Sequence, residues 1–251
     1  MVVGHHSHST RSAEMPQNKT LCAKISRRES IFAFFYFVLC MAYLFATLEN
    51  EVFHWVSLVV LPLGFIFVYQ RATITKSNFA STLASVGIAK SRIHNGLGLA
   101  IIMGLGISLL QVGMSESATK IVSVFFSGKF VVLMPLAFFL MLVTAGFTEE
   151  FFFRGVLQTR FQVLLGSNTL AIVLTAVCFG LYHLPYALLS PNWPTNGNFA
   201  AALASALLQG GIGGLILGWL YVRSEDNLVA CAVAHSLMNT LPIMTMIRFG
   251  G

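Results

Sequence analysis

The sequence predicts an all-α polytopic integral membrane protein, a bundle of about seven transmembrane helices around an intramembrane polar cavity. Hydrophobic residues make up 56% of the 251 and charged residues only 10%, against about 25% charged in an ordinary soluble domain. Mean hydropathy is +0.78. Apolar runs recur along the chain, each near the roughly 20 residues that cross ~30 Å of hydrocarbon at 1.5 Å per residue. Nine acidic and fifteen basic side chains cannot coat a globule of this size. A soluble enzyme, a disordered chain and a disulfide-stapled secreted module are thereby excluded.

Residues 1–30 are polar and carry His5, His6 and His8 without a helical stripe. They read as a disordered arm, and a metal bound to the histidine cluster is the alternative. Residues 31–251 read as a single transmembrane domain. Its first apolar run, 31–48, lacks a small-residue cleavage site and is taken as a retained span. Further spans are expected over 52–69, 96–114, 130–148, 169–189, 200–222 and 227–247. The mixed stretch 117–127 suits an interfacial or re-entrant segment. Residues 155–167 set Leu157, Phe161, Leu164 and Leu165 against Gln158, Arg160 and Gln162, which suits either an extension of the fourth helix or an amphipathic helix on the membrane surface. In span six, Gly210, Gly214 and Gly218 recur every four residues and predict a flat face for close helix packing.

The formal charge is +6, but the bases are thinly spread over loop positions, so nucleic acid is not expected as a partner. With the N-terminus inside, twelve of the fifteen Lys and Arg fall in 1–30, 70–95, 149–167 and 223–226; only Lys120, Lys129 and Arg248 fall opposite. That bias predicts a cytoplasmic N-terminus. Cys40, Cys178 and Cys231 lie in apolar segments without CxxC spacing and read as buried free thiols.

Ionisable and amide groups within spans are functional candidates because they are costly there. Three clusters stand out. Glu149-Glu150 is followed by Arg154; Glu150 and Arg154 are one helical turn apart and suited to an ion pair. Glu149 is rotated about 100° away and is left available as a base. Phe179 and His183 share a face of span five, ahead of Pro185. His235 and Asn239 share a face of span seven, and two convergent donors suit a developing oxyanion. Separately, these groups read as a helix-end charge cluster, a packing histidine and interhelical polar glue. Together they supply a general base, an imidazole and two donors, the parts needed to add water to a carbonyl. Neither GxSxG nor HExxH is present.

Glu149-Glu150…Arg154, Phe179…His183 and His235…Asn239 resemble, in that order, the EExxxR, FxxxH and Hxxx(N/D) motifs of the CPBP family of intramembrane proteases. This family includes the type II CAAX prenyl endopeptidases and the Abi proteins linked to bacteriocin self-immunity. The lead-ins Asn227-Leu228-Val229-Ala230 and Gly218-Trp219-Leu220-Tyr221 are similar too, and the resemblance covers about 145–240. It implies an intramembrane endopeptidase acting on a membrane-associated peptide. Removal of the aaX tripeptide from prenylated CaaX proteins is the family's best-characterised activity. It also implies that Glu149 with His183 activates water, that His235 and Asn239 hold the oxyanion, and that Glu150, Arg154 and Phe179 support the site. No cofactor is favoured; a zinc site, if there is one, would use Glu149, His183 and His235. The expected partners are membrane lipid and the peptide substrate. A non-catalytic scaffold or bacteriocin-immunity protein and a proton-coupled transporter are the alternative readings.

Overall fold

The computed structural model describes residues 25–48, 51–74, 77–115 and 118–244, and all regular structure among them is helical. The helices are α1 (Arg27–Thr47), α2 (Phe53–Thr73), α3 (Phe79–Ser85), α4 (Leu97–Gly113), α5 (Ala118–Phe126), α6 (Phe130–Leu165), α7 (Asn168–Leu189), α8 (Phe199–Arg223) and α9 (Leu228–Met244). Helices α1, α2, α6, α7 and α8 are long and apolar enough to cross a membrane. Large apolar side chains such as Phe35, Leu39, Ile102 and Phe139 point outward, as they do where lipid is the solvent. The chain is a multi-pass integral membrane protein.

Two of the seven expected spans are shorter than the others. Helix α4 has 17 residues and meets the preceding segment at a 99° bend, so the two make at most one broken span. Gly96 makes the turn with φ +74, a conformation that strains residues with a Cβ. The 17 described residues of α9 form an apolar helix shorter than a full span; the rest of the expected span, from 245, lies outside the described residues, as do Arg248 and the arm through Lys24 with His5, His6 and His8.

Charge pairing sets other boundaries. Helix α1 starts four residues before its apolar run. The Ser26 hydroxyl accepts from the Glu29 N–H at 3.1 Å, and buried Glu29 accepts from Arg160 Nε at 3.0 Å. The fourth expected span continues to Leu165 as the 36-residue α6, about 54 Å at 1.5 Å per residue and well beyond a ~30 Å hydrocarbon layer. Its last turns are not amphipathic at a surface. Residues 155–162 are buried on every side, because Gln158 donates to Gly218 O at 2.9 Å and Arg160 also reaches Ser85 O at 3.1 Å. By contrast, α5, in the stretch expected to be interfacial or re-entrant, buries no residue.

The polar ends gather together. Ser26 bonds Tyr69, Arg160 bonds Glu29, Arg92 bonds Glu225 O, and Asn227 bonds the carbonyls of Ile93 and Asn95. The described parts of the four segments that the charge count groups together, 1–30, 70–95, 149–167 and 223–226, thus share one end of the bundle.

Helix α9 packs along α4 and the first half of α6, while α7 packs along α8 and α1 covers the end of α6. Small residues permit the closest approaches. A Cβ on Gly214 would lie 2.8 Å from Ala176 Cα, and one on Gly210 would lie 3.0 Å from Gly180 Cα. The glycine stripe of α8 is therefore the seat of α7, as its spacing predicts.

Candidate active site

Helix α6 changes pitch on both sides of the glutamate pair. π-helical turns span Leu142–Gly146 and Phe151–Gln158, with the α-helical turn Phe147–Glu150 between them. Such turns rotate side chains off the regular stripe and recur at functional sites. Gly146 precedes the pair by one turn, and a Cβ there would strike the Ser236 hydroxyl of α9. Its absence lets α9 come close enough for the neighbouring His235 to reach the glutamates.

Glu150 is the hub. Its Oε1 accepts from Arg154 Nη1 at 2.7 Å and from His235 Nδ1 at 2.7 Å. Glu150 and Arg154 are fully buried. Arg154 also donates to Gly214 O at 3.2 Å, where the glycine stripe leaves the carbonyl accessible, and its guanidinium lies 4.5 Å from the centre of the Phe179 ring. Phe179 in turn meets His183 and His235 edge-on, at 4.9 and 5.9 Å between ring centres. The second glutamate, the arginine, the phenylalanine and the second histidine thus form one packed unit.

Glu149 faces the other way, with its side chain 10% exposed, and Oε2 lies 3.9 Å from both His183 Nε2 and His235 Nε2. Oε2 has no hydrogen-bond partner among the described residues. His183 Nδ1 lies 2.8 Å from Phe179 O; a carbonyl only accepts, so Nδ1 carries a hydrogen and Nε2 is the ring nitrogen turned toward Glu149. His183 is the open side of the site, with 31% of its side chain exposed. Asn239, one turn beyond His235 on α9, is half-buried. The structure therefore brings Glu149, Glu150, Arg154, Phe179, His183 and His235 together from three helices.

The donor chemistry of Glu149, His183 and His235 suits zinc. Ligands sharing a tetrahedral zinc at ~2.1 Å stand about 3.4 Å apart, half an ångström closer than the 3.9 Å seen here. No cluster of three His, Cys, Asp or Glu side chains among the described residues is arranged to hold a metal ion.

In a family comparison, residues 131–241 match the model described as type II CAAX prenyl endopeptidase, Rce1-like. This part of the chain belongs to the Rce1-like family. Every residue of the cluster lies within the matched segment. No curated protein and no solved structure matches the chain.

One group beside the Rce1-like cluster lies outside the motifs. His54, on α2, bonds Thr148 and Tyr182, at 2.8 and 3.0 Å; these residues directly precede Glu149 and His183. An ionisable residue inside the apolar run 52–69 meets the criterion that singled out the other histidines, and it is the signal that the motifs pass over.

Proposed function

We propose that the protein is an endopeptidase that hydrolyses a peptide bond of a membrane-associated substrate, with the C-terminal segment of prenylated CaaX proteins as the substrate class. The observation that carries the proposal is Glu149 Oε2 standing 3.9 Å from two imidazole Nε2 atoms, beside a fully buried Glu150–Arg154 pair. A gap of that size is too long for a direct hydrogen bond, and the proposal puts the attacking water between these groups.

In this reading Glu149 takes a proton from the attacking water as general base while His183, the open-side imidazole, orients it. His235 donates from Nε2 to the developing oxyanion, which requires hydrogen on both ring nitrogens, since Nδ1 donates to Glu150. Asn239 adds the second donor. The proton on Glu149 then passes to the leaving amine. Glu150 and Arg154 hold His235 in place. The lipid tail stays between helices while the peptide enters from the His183 side, and no step uses a metal ion. The positive-inside bias supports a cytoplasmic N-terminus, with the shared polar end of the bundle on that side.

The test is cleavage of a farnesylated CaaX peptide by detergent-purified protein, wild type beside Glu149→Gln, each with and without a strong chelator. The expected result is cleavage by wild type, loss in the nearly isosteric variant with its unfolding temperature kept, and no effect of chelator. Substantial cleavage by Glu149→Gln refutes the base; loss with chelator and recovery with zinc refutes the metal-free route.

A further inference from the structure

We infer that His54 of α2 is a positioning residue that holds the turns bearing Glu149 and His183 at their working separation. The inference rests on the proposed roles of those two residues. It adds a helix that lies outside the family-matched segment.

Hydrogen-bond direction fixes how the contact works. The single hydroxyl hydrogen of Thr148 is directed at Thr144 O, 2.7 Å away. Thr148 Oγ1 therefore accepts from His54, so Nε2 carries the hydrogen. In the neutral ring Nδ1 then accepts from the Tyr182 hydroxyl at 3.0 Å. The chain of donors runs from Tyr182 through His54 and Thr148 to a backbone carbonyl and ends there. It delivers no proton to Glu149, so it is not a relay; it ties α7 to α6 through α2.

Trp55 makes a second tie. Its Nε1 donates to Val143 O at 3.1 Å, inside the π-helical turn before the glutamates, and its ring stacks on Phe147 at 5.7 Å. Two consecutive residues of α2 thus grip the segment of α6 that leads into Glu149, and one of them also grips the residue before His183. The bonded side chains precede the reacting ones by a single residue. A slip of either turn therefore changes the Glu149–His183 gap directly, and a misplacement of about 1 Å can cost on the order of 100-fold in rate.

The experiment uses the full chain in detergent. Thr148→Val and Tyr182→Phe each remove one hydroxyl with little change of shape, Thr148→Ser keeps the hydroxyl, and His54→Ala removes the tie. The expected result is a fall in kcat of about tenfold or more for His54→Ala, Thr148→Val and Tyr182→Phe, with KM within about twofold and Thr148→Ser restoring most of the rate. An unchanged kcat in these variants, beside a wild type that cleaves and a Glu149→Gln that does not, overturns the positioning role and leaves the proposed function standing. A second readout needs no turnover: histidine-selective ¹⁵N spectra of wild type and His54→Ala. Movement of the His183 imidazole signals is expected. If they stay unmoved, the inference fails whether or not any peptide is cleaved; if they move in a protein that cleaves nothing, the tie stands and the proposed function fails alone.

Discussion

Replacing Glu150 with alanine tests how the buried charges are balanced. Glu150 Oε1 lies 2.7 Å from both Arg154 Nη1 and His235 Nδ1, with both members of the Arg154 pair fully buried. Removing one partner of a buried ion pair costs about 3–5 kcal/mol, because the other charge is stranded. Two features set the expectation at the lower bound. Arg154 keeps Gly214 O at 3.2 Å and the Phe179 face at 4.5 Å, and Glu150 Oε2 has no hydrogen-bond partner among the described residues. A loss of about 3 kcal/mol in a chain of this size lowers Tm by roughly 6–12 °C. The assay is thermal unfolding in detergent, with monodisperse yield as a second readout. The double variant Glu150→Leu/Arg154→Met removes both charges and should recover most of the loss, since an apolar pair of similar volume is often at least as stable as a buried ion pair. A Tm for Glu150→Ala within about 2 °C of wild type, or a double variant no more stable than the single one, refutes the reasoning.

Other outcomes follow from the packing and the charge bias. Gly214→Ala should lower stability by about 1–3 kcal/mol through overpacking, since its Cβ would meet Ala176 Cα at 2.8 Å, whereas Gly213→Ala, with nothing within 4 Å, should leave it unchanged; equal Tm shifts would contradict the α7–α8 contact. Arg160→Met should strand buried Glu29 and cost about 3 kcal/mol or more, read as lost Tm and partly regained with Glu29→Gln. Single cysteines at Lys90 and Lys120, placed in a chain whose own cysteines are replaced by serine or alanine, should label from opposite sides of sealed vesicles, with Lys90 on the cytoplasmic side. Labelling of both from one side would overturn the proposed orientation.

Hydropathy marks where the long helices lie, because lipid imposes one requirement on every outward side chain. It is a weaker guide to where they end. Helix α1 begins at Arg27 rather than 31 because Glu29 is neutralised by Arg160, a partner that no local window contains. The same pair turns 155–162 from an apparent amphipathic segment into buried helix: a polar stripe reads as solvent-facing unless its partners are known. Within the site, the Glu150–Arg154 pair is legible from helical spacing alone. The approach of His235 to Glu150, across 85 residues, depends on how closely α9 packs at Gly146 and is not. His54 carries the signal of an ionisable residue in an apolar run, but its partners Thr148 and Tyr182 are ordinary residues whose importance comes only from standing next to Glu149 and His183.

The long-range ties also order events during synthesis. Glu29 and Arg160 are 131 residues apart, and at about 5–20 residues per second the arginine leaves the ribosome roughly 7–26 s after the glutamate. The first helix therefore enters the membrane with its carboxylate at the watery end and without its counter-ion, held there until the tail of α6 arrives. Glu150 waits a further 85 residues for His235. The buried charges close in chain order, and a ribosome stalled before α9 leaves a membrane-inserted chain in which His183 of α7 has been made and His235 has not.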